Sequence, residues 1–301
     1  MMWTDFTVIV PASTANLGPG FDSIGLALDL QMTIHVSRAE QWDVEYKDES
    51  YSHLSGAAEN LIVEAALFTA SKMGRYLPPA KLTVETDIPL GRGLGSSASA
   101  IAGGIEICAR LLGINIPMKE KVAIGTEMEG HPDNISASLM GGLTISYAAG
   151  EDLEVVHVPE VAVGVVLMVP PTEFSTSESR GLLPEKLEYG TAVRSSAAAN
   201  VLSAALVRGD WHAAGRMMEK DAFHEPFRQS RFPDFEKIRQ ACRTAGAYGS
   251  AISGAGPSLF ILGPQGREQE ICGALSEQFP HYECSFAKPS TAGIKSFETV
   301  V

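Results

Sequence analysis

Residues 6–10 read as a strand that Pro11 stops, and apolar and polar positions alternate again over 31–37 and 42–46. Residues 60–73 are rich in Ala and Leu and long enough for a helix, and 81–86 alternate as a strand ahead of Pro89. The clearest period follows. Ala98, Ile101, Ala102, Ile105, Ala109 and Leu112 recur every three or four residues, which predicts one apolar helix face ending near Gly113. A short helix is expected from Pro132, a residue suited to a first helical turn, and then a strand over 143–147. In the second half, 162–169 reads as a buried strand. Helices are predicted over 191–207, 210–224 and 234–245, and strands over 247–252, 258–262 and 282–287. Strands and helices mix without strict β-α alternation, so the expectation is an α+β fold. It has two domains, 1–155 and 156–301, with no flexible linker marking the division.

Composition adds a class to this outline. The chain has 301 residues, 45% of them apolar and 20% charged, as in ordinary globular proteins, and is long enough to bury a core without staples. With 23 Lys and Arg against 36 Asp and Glu the net charge is −13, which argues against a nucleic-acid partner. The apolar run 161–169 is about half a membrane span, and the opening Met1-Met2-Trp3-Thr4-Asp5 lacks the features of a signal peptide. The four cysteines contain no C-x-x-C pair. A cytoplasmic protein with no membrane partner is expected.

The most informative stretch is Pro89-Leu90-Gly91-Arg92-Gly93-Leu94-Gly95-Ser96-Ser97-Ala98-Ser99, between a predicted strand and the best-defined helix. Its glycines permit backbone angles and close approaches that a Cβ would block. Ser96 and Ser97 fall where the N-cap and first turn should be, so free N–H groups and the positive end of the helix dipole suit a polyphosphate. A serine hydroxyl there could also ligate Mg²⁺. A P-loop would need lysine after the last glycine, and a dinucleotide loop would need G-x-G-x-x-G with an acidic residue closing the next strand; neither fits. A plain glycine-rich turn capped by serine is the remaining alternative.

This loop resembles the phosphate loop of the GHMP small-molecule kinases. Two further segments carry the same resemblance: Val10-Pro-Ala-Ser-Thr-Ala-Asn-Leu-Gly-Pro-Gly-Phe-Asp-Ser-Ile-Gly-Leu-Ala27, in the form typical of the kinases that act on homoserine, and Ile252-Ser-Gly-Ala-Gly-Pro-Ser258. The resemblance implies a phosphate-loop N-terminal domain and a ferredoxin-like C-terminal domain. It also implies transfer of phosphate from ATP to the side-chain hydroxyl of L-homoserine, a step in threonine biosynthesis, by a homodimer. ATP would lie along residues 89–99, and Ser97 with Glu129 would hold Mg²⁺. The substrate carboxylate suits Arg180 and Arg228, its ammonium Asp22, and its hydroxyl end Asn16 and Asn134. For the general base, Asp133, His131 and direct transfer to the γ-phosphate all stay open, direct transfer being favoured. The third motif carries no titratable side chain, so close backbone approach to the phosphate loop or a structural turn is expected of it. The other histidines, His224 among them, are expected at the surface or in packing, since none shows metal-ligand spacing. The arginines and the first motif weigh against a GHMP kinase for sugars or isoprenoid alcohols, and Ser97 with Glu129 against a non-catalytic ligand sensor.

Overall fold

A computed structural model describes residues 4–56, 59–172, 174, 176–232 and 234–299. In chain order the first half holds β1 (Phe6–Ala15), β2 (Ile24–Arg38), β3 (Asp43–Tyr46), α1 (Leu61–Lys72), β4 (Ala80–Thr86), α2 (Ser96–Leu112), α3 (Met118–Glu129), α4 (Asp133–Met140), β5 (Leu143–Ala149) and β6 (Asp152–Val158). The second holds β7 (Gly164–Val169), α5 (Thr176–Arg180), α6 (Tyr189–Arg208), α7 (Trp211–Met218), α8 (Glu225–Arg228), α9 (Phe235–Thr244), β8 (Gly249–Ile252), β9 (Leu259–Gly263), α10 (Glu268–Gln278), β10 (Glu283–Ala287) and β11 (Lys295–Glu298).

Among the described residues the strands form two sheets. The first has the order β11-β1-β2-β4-β3, with β5 joined to β2 and β6 to β5. β2 pairs with β1 and is long enough to serve two further neighbours: Met32 to Arg38 pair with β4, and Ile24 to Leu26 with β5. β1 does not stop at Pro11. It runs on to Ala15 because a register shift falls between Pro11 and Ala12, where the missing proline N–H costs the ladder little. The second sheet has the antiparallel order β10-β7-β9-β8. Counted from β7, that is 4-1-3-2 in a β-α-β-β-α-β path, the ferredoxin-like arrangement expected of the C-terminal half.

Alternation along β7 explains how the sheets share a core. Val165, Leu167 and Val169 join the large apolar cluster that continues into β1, β2 and α2. Val166 and Met168 face the other way, into a smaller cluster with α9 and α10. The expected division near residue 155 falls within β6, and β11 returns to pair with β1, so the two sheets do not follow a single cut in the chain.

Several elements depart from the pattern-based outline. α3 was not legible, because its mixed charges leave only Val122, Ile124 and Gly125 buried. β6 and β11 are short edge strands with little burial, so they leave no strong alternation. The helix expected over 210–224 ends at Met218, because the Asp221 carboxylate accepts the N–H groups of Phe223, His224 and Glu225 and turns the chain into α8.

Candidate active site

Six segments meet where the sheets join: the β1–β2 loop, the loop from β4 into α2, the α3–α4 turn, α5, α8, and the β8–β9 turn. They enclose a cavity of about 240 Å³. Of the expected site residues, Asn16, Asp22, Glu129, Asn134, Arg180 and Arg228 line it, as do Gly91, Gly93, Gly95, Ser96 and Ser97 of the glycine-serine loop. Leu94, Ala98 and Ser99 are buried beneath the loop instead, and Ser99 donates to the carbonyls of Pro11 and Gly95. Pro89, Leu90 and Arg92 face a neighbouring cavity of about 690 Å³, shared with Tyr51, Pro170 and Tyr282.

The loop's shape follows from its glycines. Gly95, not a serine, caps α2 at φ 73°, and no side chain caps that end. The first-turn N–H groups of α2 have no carbonyl one turn back to bond, so they are directed outward at the cavity. A Cβ on Gly93, at φ 74°, would lie 2.2 Å from the Ser253 carbonyl oxygen. The third motif therefore packs directly under the loop: the Ser253 hydroxyl donates to the Gly93 carbonyl at 2.6 Å, and the Ser258 N–H to the Arg92 carbonyl at 3.3 Å. Arg92 ties the loop's other side to the Pro170 carbonyl at 2.7 Å.

At the start of α2 the Ser97 hydroxyl donates to Glu129 Oε2 at 2.9 Å, bringing two hard oxygen donors together from different helices. Burial raises the Glu129 pKa above the usual carboxylate range, opposed by the nearby His131 and the Ser97 hydroxyl. Asp133 accepts from His131 Nδ1 at 2.5 Å and from the Asn134 N–H at 2.7 Å. Burial disfavours charge on His131, but the bond and charge of Asp133 outweigh it and raise its pKa. The amide nitrogen of Asn134 gives both hydrogens to Ser13, at 3.2 Å to the carbonyl and 2.9 Å to the hydroxyl. What Asn134 offers the cavity is an acceptor oxygen.

Asn16 is spent differently from expectation. Its oxygen accepts the Asp22 N–H at 2.9 Å and its nitrogen donates to the Gly254 carbonyl at 2.9 Å, which stabilises a loop with positive φ at Asn16, Leu17 and Asp22. Asp22 and Arg180 also hold one another, in a two-pronged ion pair at 2.7 and 3.1 Å. Both lie at the cavity edge, about a third exposed (33% and 37%).

Arg228 stands apart. It is 2% exposed, and its two inner hydrogen bonds go to neutral acceptors, His224 Nδ1 at 3.0 Å and the Gly254 carbonyl at 2.9 Å. Its Nε has no partner, and among the described residues no carboxylate lies within ion-pair distance. Burial, and then the charge of Arg180, lower its pKa to about 10. His224, expected at the surface or in packing, is fully buried against it and stacks on Phe21, ring centroids 5.2 Å apart. The one available signal was spacing: in His224-Glu-Pro-Phe-Arg228 the two side chains are four apart, on one side of a helical turn.

Similarity to known proteins identifies the family. A family model described as GHMP kinases N terminal domain matches residues 60–142, and one described as GHMP kinases C terminal matches 202–281. A homoserine kinase of Bacillus cereus (strain B4264) is 46% identical over 275 residues, 91% of each chain. A homoserine kinase of Halalkalibacterium halodurans is 41% identical over 295 residues, 98% of this chain and 96% of that one. The crystal structure of homoserine kinase from Cytophaga hutchinsonii has a TM-score of 0.86 at 27% identity, covering 99% of this chain and 98% of that one. A glycine-serine loop at a helix start, a buried arginine facing the cavity and relatives matching over nine-tenths or more of the chain lead to one assignment: the chain belongs to the GHMP kinase family, within its homoserine kinase group.

Proposed function

We propose that the protein transfers the γ-phosphoryl group of ATP to the side-chain hydroxyl of L-homoserine, giving O-phospho-L-homoserine and ADP, as a step of threonine biosynthesis. The observation that carries this reading is Arg228, a buried guanidinium facing the cavity without a carboxylate of its own. A buried charge needs a counterion, and a planar guanidinium suits a carboxylate. An amino-acid substrate supplies one; mevalonate, with its own carboxylate, is the competing acceptor to test.

In this reading the triphosphate lies against Gly91 to Ser97 and the outward N–H groups of α2. The purine takes the adjoining cavity beside Tyr51, Leu90 and Pro170. Ser97 and Glu129 offer hydroxyl and carboxylate oxygens close together, a donor set that fits Mg²⁺. Bound there, Mg²⁺ would neutralise charge on the phosphates. Homoserine opens the Asp22–Arg180 pair, its ammonium going to Asp22 and its carboxylate to Arg180 and Arg228. Opening the pair is offset by the two ion pairs that the zwitterion makes with the same groups. Asn16 shapes the Asp22 loop, and the Asn134 oxygen accepts the hydrogen of the substrate hydroxyl, aiming the oxygen at the γ-phosphate. No side chain is needed as base: Asp133 is already bonded to His131 and a backbone N–H, and a loose transition state lets the proton pass to the transferred phosphate.

We also propose that the protein works as a cytoplasmic homodimer, with residues 1–155 as the ATP-binding part and 156–301 as the C-terminal part. Among the described residues no helix is long and apolar enough to cross a membrane. The test is ADP release with Mg-ATP and a panel of L-homoserine, L-serine, L-threonine, mevalonate and galactose. Turnover confined largely to homoserine is expected. Preference for another alcohol would reassign the pocket, and ATP binding without turnover of any acceptor would overturn the kinase reading in favour of a sensor.

A further inference from the structure

The hydrogen bonds around His224 leave one protonation state. Its Nε2 lies 3.0 Å from the Gly18 carbonyl oxygen, which can only accept, so Nε2 carries the hydrogen. Its Nδ1 lies 3.0 Å from Arg228 NH1, which can only donate, so Nδ1 presents a lone pair. The ring is therefore a neutral bridge between the first-motif loop and the substrate arginine. With the Gly254 carbonyl it takes the hydrogens of NH1 and leaves the rest of the fork uncommitted.

The charged groups facing the ring agree with this state. Asp221 Oδ2 lies 3.5 Å from Nε2 and favours the imidazolium, while Arg228 opposes it, as does full burial; Asp22 contributes a weaker attraction. Burial dominates and lowers the His224 pKa to about 4. Phe21 completes the seat: His224 stacks on it, and the guanidinium carbons of Arg228 and Arg180 lie 5.5 and 5.6 Å from its ring centroid.

We propose that His224, held as the neutral Nε2–H tautomer between Gly18 and Arg228, is a positioning residue that sets the direction of the Arg228 guanidinium and thereby the affinity for the carboxylate of the acceptor. It touches neither the acceptor nor ATP; it acts through Arg228. The inference rests on the homoserine reading above. An amino-acid kinase gains from a neutral support here because an imidazolium could not accept from NH1 and would repel the guanidinium, and an apolar side chain would leave one NH1 hydrogen unsatisfied.

Two variants separate positioning from packing. His224→Leu fills the space against Phe21 without an acceptor, and His224→Asn keeps an acceptor near the position of Nδ1. Steady-state kinetics should show the KM for homoserine rising roughly tenfold or more in His224→Leu, the scale of one hydrogen bond to a charged group. The kcat and the KM for ATP should stay within a factor of about two, because neither depends on the fork's direction. His224→Asn should recover most of the homoserine KM. An unchanged homoserine KM in the Leu variant, an equal change in the ATP KM, or no advantage of Asn over Leu would each overturn the proposal. Should His224→Leu not fold, ¹⁵N NMR of the histidine rings in the wild-type protein decides: a protonated Nε2 and bare Nδ1 support the bridge, and a protonated Nδ1 refutes it. The ring spectrum does not depend on the acceptor. Wild-type inactivity toward homoserine beside the expected tautomer would therefore fault the function and leave the bridge standing.

Discussion

At the level of single residues, the site separates groups already committed from groups held ready. Asn16, Asn134 and Asp133 each spend polar atoms on the protein, while Arg228, among the described residues, has no carboxylate at ion-pair distance. Two predictions follow from that contrast. Arg228→Lys retains charge but loses the planar fork and the bonds to His224 and Gly254, so the homoserine KM should rise by roughly 10- to 100-fold, with the ATP KM little changed in initial-rate measurements. Asp133→Asn removes a negative charge but keeps an oxygen that can accept the Asn134 N–H. Measurable turnover should persist, within about a hundredfold of wild type on the lower bound usual for lost acid–base help. A loss as deep as that of Glu129→Ala in the same assay would make Asp133 the base. Residue types at this scale were legible from the motifs; their pairings were not. Asp22 and Arg180 are 158 positions apart, and nothing in either segment says that they meet.

Among the elements, the glycine-serine loop and α2 were readable because each states its own geometry locally. Three glycines, then serines, then an apolar face of period 3.6 ending at Gly113 leave little choice, and Gly113 does close α2 with φ 62°. α3, which carries Glu129, gave no such sign. Its sequence Met-Lys-Glu-Lys-Val-Ala-Ile-Gly-Thr-Glu-Met-Glu buries too little to show a period, and packing against α2 and α4 supplies what the pattern lacks. The loop also makes the third motif's role concrete, since the carbonyls of Ser253 and Gly256 sit where a Cβ on Gly93 would go. Gly93→Ala should accordingly lower stability by about 1–3 kcal/mol, from the left-handed φ and the backbone clash, and weaken ATP binding at the same time. Thermal unfolding with and without ATP, together with calorimetric titration, checks both; an alanine variant that binds ATP normally would show that the loop tolerates the shift.

For the molecule as a whole, the buried His224 links the site to stability. Its folded pKa, about 4, lies below the ordinary 6.5, so the unfolded chain takes up a proton that the folded one refuses. Stability from this group is complete above pH 6.5 and is lost as pH falls toward about 4. In urea unfolding across that window, the wild type should lose stability relative to His224→Asn with a slope approaching about 1.4 kcal/mol per pH unit. Parallel curves for the two proteins would mean that the ring does not stay neutral on folding. The same scale explains the boundary near residue 155. The large apolar cluster runs unbroken from the first sheet into β7, β8 and β9, and β11 returns to β1, so contacts cross the expected division. The sequence by itself determined the α+β class, the glycine-serine loop, its helix and the family, because those depend on local periodicity, glycine geometry and contiguous motifs. Only the tertiary structure decided that Arg228 is buried with no described carboxylate at ion-pair distance, that His224 accepts its hydrogen bond, and that Asp22 faces Arg180. Those facts depend on which distant segments share one low-dielectric space, and no local pattern records that.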